Sequence, residues 1–191
     1  MMLSPLALIP SFITSAWASK PSTTSTSLAE ATERLVRHFE LPPKGWLCPW
    51  IAQSHATPDL LREAGYSYLL DWCHDDRPTW FETRAGPILS VPYPQEINDI
   101  PAIAVRRTSA SDFADMIIDQ FDEMLEQAHR MPLVMGIALH PYIVGQPFRL
   151  RHLRRALEHI ATRRDAVWIT TAGAIAEHWI TTRAAPGTNR A

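Results

Sequence analysis

Short apolar runs alternate with amphipathic stretches along most of this 191-residue chain, and this alternation restricts its fold more than any other feature. Strands are predicted at residues 66–72, 88–91, 133–139 and 167–170, and helices at 28–39, 57–65, 111–129, 150–161 and 171–180. An order of strand, helix, strand, helix is typical of parallel strands that are joined by right-handed crossovers. The chain is therefore predicted to be an α/β protein, either a doubly wound sheet or part of a barrel.

Composition excludes several classes of protein. The chain has 18 basic and 20 acidic side chains, and this balance argues against binding of nucleic acid by bulk charge. Hydrophobic residues make up 46% of the chain and charged residues 20%, which excludes disorder over most of its length. Cys48 and Cys73 are the two cysteines, too few for a disulfide scaffold or a zinc site of four thiolates.

The first 27 residues differ from the rest and allow two interpretations. One is a secretory signal, with an apolar stretch from Leu3 to Trp17 and a small-residue cleavage site at residues 16–18. The other is a disordered N-terminus, favoured because no Lys or Arg precedes the stretch and prolines interrupt it. We expect one domain at 28–183 and a frayed tail at 184–191. We also expect no membrane span and a cytoplasmic location, with secretion as the alternative if residues 1–18 are a signal peptide.

Polar side chains follow two of the predicted strands, at residues 71–76 and 140–149. Sites in parallel α/β folds lie at the carboxyl ends of the strands, so these positions are candidates. His140 could act as a general acid or base, or could simply bond a nearby carbonyl group. Asp71, Asp75 and Asp76 could orient that imidazole or bind a metal, or could form a solvated acidic turn.

Other chemical signatures are weak. No two histidines stand three or four residues apart on a predicted helix, and His152 and His159 are seven apart. The sequence has neither a phosphate-binding glycine loop nor a G-x-S-x-G motif. The arginines at 149, 151, 154 and 155 are interpreted as a solvated face rather than as an anion site.

Several segments together resemble a known family. They are GWLCP at 45–49, TPDLL at 57–61, AGY at 64–66, DW at 71–72, DD at 75–76, VPY at 91–93, EINDIP at 96–101 and LHPYIVGQPFR at 139–149. This pattern resembles the second half of a polysaccharide deacetylase (NodB-homology) domain, in particular the branch that includes cofactor-independent allantoinases. The similarity covers roughly residues 40–180.

The resemblance implies a partial (β/α) barrel that lacks its N-terminal strands and hydrolyses non-peptide C–N bonds of N-acetylated sugars or ureides. It implies that His140 is a general acid that protonates the leaving nitrogen, and that Asp71 tunes this histidine. The substrate-binding residues that it implies are Trp46, Trp72, Asp75, Pro141 and Arg149.

The sequence departs from the family most clearly ahead of the matched region. In metal-dependent members, the metal ligands and the base precede the matched region, and here no Asp, Glu or His precedes Leu28. We therefore expect no metal, no cofactor and a truncated hydrolase of doubtful activity. The alternative is a non-catalytic remnant, or an interaction protein that needs a complementary partner chain. Expected partners are a small amide, ureide or N-acetyl sugar, with no nucleic acid or membrane, and a second copy or partner chain over the open sheet edge.

Overall fold

The computed structural model describes residues 6–12, 25–183 and 185. Its strands are β1 (Leu6–Phe12), β2 (Gly45–Trp46), β3 (Tyr68–Leu69), β4 (Thr79–Phe81), β5 (Ile88–Ser90), β6 (Leu133–Leu139) and β7 (Val167–Ile169). Its helices are α1 (Ser25–Phe39), α2 (Thr57–Glu63), α3 (Ala110–Gln127), α4 (Pro141–Val144), α5 (Pro147–Ala161) and α6 (Ala172–Thr182). Short 3-10 turns span Pro49–Ile51 and Arg164–Ala166, and a π-helix spans Ile100–Val105.

The chain divides into two compact units, where the sequence predicts one domain over 28–183. Unit 1 comprises Met1–Thr14 and Pro92–Thr171, and unit 2 comprises Ser15–Val91 and Ala172–Ala191. Apart from residue 185, the predicted frayed tail at 184–191 lies outside the described residues, as do residues 13–24 and their candidate cleavage site.

Unit 1 contains a three-stranded parallel sheet in the order β6-β1-β7. Leu6 to Phe12 pair with Leu133 to Leu139 along the whole of β6, whereas β7 pairs only with Leu6–Leu8. Pro10 therefore lies where β1 has a neighbouring strand on one side only, and a missing N–H is tolerated there. Residues 6–12, expected to be disordered or signal-like, instead form the central strand of this sheet.

Helices α3 and α5 pack against each other in unit 1 and, together with β6, enclose its core. Ser109 begins α3 by accepting a hydrogen bond from the Asp112 N–H, at 3.1 Å. Phe113, Ile117 and Phe121 recur at helical spacing and are buried. The predicted helix at 111–129 is thus confirmed with slightly shifted ends, and the predicted strand at 133–139 is confirmed with the same bounds.

Unit 2 contains a four-stranded sheet in the order β2-β3-β5-β4, with β4 antiparallel to β5. The predicted strand at 66–72 is reduced to the two residues of β3. One cluster of buried side chains in this unit is formed by Leu28, Leu61, Tyr66, Leu69 and Ile88. Both sheets are open within the described residues, and the fold is a mixed α/β fold.

None of the helices in the described ranges is both long enough and apolar enough to cross a membrane.

Candidate functional site

His140 occupies the carboxyl end of β6, where the strand passes into α4. Its carbonyl oxygen accepts hydrogen bonds from the N–H groups of Ile143 and Val144, at 2.8 and 3.1 Å, and these bonds start the short helix. The residue is 3% exposed. The strand and the helix turn therefore fix the backbone of His140 from both sides.

The Asp99 carboxylate holds His140 at two points. One oxygen lies 2.6 Å from the imidazole Nδ1, and the other accepts the main-chain N–H of His140 at 2.7 Å. Asp99 itself is fully buried. Two short bonds to one carboxylate leave the imidazole ring little freedom to rotate.

A short parallel bridge brings Asp99 to this position. Asn98 pairs with Ala138, and the Ala138 N–H donates to the Ile97 carbonyl oxygen at 3.0 Å. The Asn98 side chain accepts from the Ile100 N–H at 3.1 Å, so the chain turns directly after the bridge. Because the bridge aligns residue 98 with residue 138, Asp99 lies beside the end of β6.

The pairing leaves one nitrogen of the imidazole for chemistry. An ionised carboxylate only accepts hydrogen bonds. Beside an ionised Asp99, the Nδ1 N–H of His140 is therefore the hydrogen-bond donor. No described residue hydrogen-bonds Nε2 of His140 in the structure. An imidazole held through Nδ1 in this way can give or take a proton at Nε2.

The carboxylate on His140 was not among the candidates from sequence. Asp71, Asp75 and Asp76 were proposed for the orienting role because they follow a predicted strand, whereas Asp99 is the residue bonded to the imidazole. Asp99 lies in the 96–101 segment, to which the sequence pattern gave a family resemblance but no role. The sequence feature that could have identified Asp99 is a carboxylate directly after a short segment that can pair with β6.

Asp71 is a buried carboxylate of unit 2, with 6% of its surface exposed. One of its oxygens accepts the Cys48 N–H at 2.6 Å, and the other lies 3.3 Å from the Gln53 amide group, whose nitrogen can donate to it. Burial raises the pKa of Asp71, and the hydrogen bonds from Cys48 oppose that rise in part. The protonated form of Asp71 is therefore favoured more than it is in a solvated carboxyl group.

Two indole rings of unit 2 are fixed by hydrogen bonds from their N–H groups. Trp46 Nε1 donates to the Cys48 sulfur at 2.9 Å, and Trp72 Nε1 faces the Gln53 amide group, whose oxygen can accept from it. Trp72 also meets the edge of Phe81, with ring centroids 5.5 Å apart, and is 38% exposed. Fixed aromatic faces of this kind can stack against a flat or apolar group of a ligand.

The remaining predicted substrate-binding residues lie in three settings. Asp75 is 3.3 Å from the Arg77 guanidinium in the predicted acidic turn. Pro141 is exposed and is the first residue of α4. Arg149 donates to the Ile143 carbonyl oxygen at 3.2 Å. Their contacts with substrate stay predictions.

Comparisons with known proteins support the resemblance, although no profile of a known protein family matches the sequence. A relative from Schizosaccharomyces pombe, named "Putative polysaccharide deacetylase", is 34% identical over 120 residues. The crystal structure of Puue allantoinase matches with a TM-score of 0.75 and 29% identity over 83% of this chain. That of a probable polysaccharide deacetylase from Pseudomonas aeruginosa PAO1 matches with a TM-score of 0.74 and 27% identity over the same share.

The chain is similar in sequence and in fold to polysaccharide deacetylases. A further crystal structure, "putative polysaccharide deacetylase from Mycobacterium smegmatis", has a TM-score of 0.72 over 87% of this chain and, at 20% identity, supports the fold alone. The chain spans 37% of the length of the Schizosaccharomyces pombe relative and 53% of each of the first two solved chains. The resemblance to deacetylases and to an allantoinase, read from the sequence, is thereby confirmed.

A divalent metal, which the resemblance implies for metal-dependent relatives, does not fit the side chains seen here. Within residues 6–12 and 25–183, no three His, Cys, Asp or Glu side chains lie close enough together to hold an ion. The two titratable groups of the pair in unit 1, Asp99 and His140, already bond each other.

Proposed function

We propose that this chain hydrolyses a non-peptide C–N bond in an N-acetylated sugar or a ureide, with His140 as general acid. The observation that carries the proposal is the buried pair of His140 and Asp99 at the carboxyl end of β6. Its geometry supports proton transfer at Nε2, because the other ring nitrogen is engaged. The likeness to deacetylases and to an allantoinase supports the type of bond.

The proposed hydrolysis has two steps. Water adds its oxygen to the acyl carbon of the amide or ureide and gives up a proton to solvent, which leaves a tetrahedral intermediate. His140, protonated at Nε2 from solvent, then passes that proton to the nitrogen and becomes neutral, the C–N bond breaks, and the sugar amine or urea leaves. Asp99 keeps the ring oriented and stabilises its positive charge, and proton transfer by a positioned side chain contributes about 10²–10⁴-fold to a rate.

The roles that the resemblance gives to other residues form part of this proposal. Asp71 tunes the acid, and Trp46, Trp72, Asp75, Pro141 and Arg149 contact the substrate. The fixed indole N–H groups and the partial exposure of Trp72 support the assignment of these rings to a ligand. The proposal also includes the partial (β/α) barrel of the NodB type, which the match to solved structures over 83% of the chain supports.

The proposal can be tested with the purified full chain and two substrate classes. Acetate release from N-acetylglucosamine oligomers and urea release from ureides would be measured for the unaltered protein, His140→Gln and His159→Gln. His159 is the matched control, because its imidazole pairs with Asp122 at 2.8 Å on an exposed surface. We expect His140→Gln to lose about 10²–10⁴-fold in rate and His159→Gln to lose none. Equal activity of the two variants would refute the role of His140.

A second proposal is that the chain binds or assembles rather than catalyses alone, and that it needs a complementary partner chain. It is favoured by the open sheets of the described residues, because an edge strand can pair with a strand of another chain. Light scattering of the protein isolated from its own cell distinguishes the two. A mass of one chain with hydrolytic activity supports the first proposal, and activity found only in a complex with a second polypeptide supports the other.

A further inference from the structure

A cleft of unit 1 is lined by basic side chains and by no described acidic one. It has a volume of about 500 Å³ and opens between the segment at 103–111 and the first turn and a half of α5. Arg107, Arg149 and His152 contribute to its wall, and Ser109 and Phe148 lie between them. His140 is not among its lining residues, whereas Arg149, which the proposed function assigns to the substrate, is one of them.

The positive charge of this cleft is not neutralised by nearby carboxylates. No described residue forms an ion pair with Arg107, with Arg149 or with His152. The nearest carboxylates in the sequence of α3 are Asp112 and Asp115. Asp112 does not line the cleft, and Asp115 forms an ion pair with Arg155 at 2.6 Å. Two guanidinium groups around one concave space attract an anion, because each presents several N–H donors in a planar fork.

The side chains are also held where a ligand can meet them. Arg149 donates to the Ile143 carbonyl oxygen and lies over the Phe148 ring, with 5.0 Å from its guanidinium carbon to the ring centroid. Its remaining N–H groups are left for another acceptor. Arg107 follows the π-helix in a left-handed backbone conformation, with φ of 59°, and is exposed.

From this arrangement we infer that the cleft binds the phosphate group of a small organic molecule. Arg107 and Arg149 contact the phosphate oxygens, and the His152 imidazole donates an N–H in either protonation state. The serine and threonine hydroxyls of residues 108–111 can donate to further oxygens. The volume exceeds that of phosphate alone and falls within the range of small-molecule sites, about 300–1,000 Å³. The aromatic face of Phe148 would then pack against the organic part of the ligand.

The test is a titration of the ¹⁵N-labelled full chain at constant ionic strength, followed by its amide resonances. The probes are inorganic phosphate, glucose 6-phosphate and, as a neutral control, glucose. We expect saturable shifts centred on residues 107–111 and 148–152 with both phosphates, tighter binding of the ester, and none with glucose. No saturable shift with either phosphate, or shifts spread evenly over the surface, would overturn the inference.

Variants separate a built site from diffuse attraction by surface charge. Arg107→Gln and His152→Gln should each weaken binding about tenfold, and Arg107→Lys should retain more of it than Arg107→Gln. Arg106→Gln is the matched control, because Arg106 is adjacent and exposed but does not line the cleft. Equal weakening by Arg106→Gln and Arg107→Gln would overturn the inference. Because none of these variants alters His140 or Asp99, the outcome is independent of hydrolytic activity.

Discussion

Replacement of Asp99 by alanine should destabilise the protein strongly, for a reason that can be worked out from the site. The carboxylate is fully buried and accepts two hydrogen bonds from His140, at 2.7 Å from the main-chain N–H and at 2.6 Å from Nδ1. Alanine leaves both donors buried and unpaired, at about 1–3 kcal/mol each. Since the imidazole and the main-chain N–H both lose their acceptor, we expect the free energy of unfolding to fall by about 2–6 kcal/mol, a large part of the total of about 5–15 kcal/mol in such proteins.

Urea-induced unfolding, followed by far-UV circular dichroism, measures this loss. Asp122→Ala provides the control, because Asp122 also pairs with a histidine, His159, but its side chain is 51% exposed. An exposed pair contributes only about 0–1 kcal/mol, so the control should unfold near the midpoint of the unaltered protein. If Asp99→Ala were as stable as Asp122→Ala, the buried pair would not hold this part of unit 1 together, and the reasoning would be refuted.

Four further predictions concern other parts of the structure. Burial raises the pKa of Asp71 above that of the unfolded chain, so the free energy of unfolding should fall as pH rises from the unfolded to the folded pKa. The free energy of unfolding of Asp71→Asn, relative to the unaltered protein, should therefore increase between about pH 4 and pH 7. An equal difference between the two proteins at both pH values would contradict this. Gly45→Ala should lower the free energy of unfolding, measured in urea, by about 1–3 kcal/mol, because a Cβ would overlap the Tyr68 ring. The additional change Tyr68→Leu should restore part of that loss. An unchanged unfolding midpoint in Gly45→Ala would disprove the overlap. In Asp99→Asn, the proton of neutral His140 should lie on Nε2 and not on Nδ1, because the new amide NH₂ can donate to Nδ1. The ¹⁵N chemical shifts of the imidazole report which nitrogen is protonated, and a proton retained on Nδ1 would contradict the prediction. A chelator should leave the unfolding midpoint unchanged, since the described residues hold no ligand cluster; a lowered midpoint would reveal a metal.

Elements built from local patterns were predictable from the sequence. The uninterrupted apolar run at 133–139 is β6 with the predicted bounds, and the helical spacing of Phe113, Ile117 and Phe121 predicted α3. Both patterns are properties of a single segment. The strand predicted at 66–72 was too long, because an apolar run can be buried without sheet pairing over its whole length.

Elements that depend on distant partners were not predictable. Strand β1 forms because Leu6–Phe12 pair with a strand more than a hundred residues later, and Pro10 within it argues locally against a strand. The same limit applies to the site. His140 was identified from its place after β6, but its partner Asp99 is brought there by one isolated bridge between Asn98 and Ala138, which no periodicity reveals.

The most direct test of the central claim is how the effect of His140 depends on the leaving group. Protonation of the nitrogen matters greatly when an alkyl amine leaves and little when p-nitroaniline leaves. The rates of His140→Gln and of the unaltered chain would be compared on N-acetylglucosamine oligomers and on p-nitroacetanilide. The proposed role of His140 predicts a loss of about 10²–10⁴-fold on the sugar and a far smaller loss on the anilide. Equal losses on both substrates would show that His140 is not the acid that protonates the leaving nitrogen.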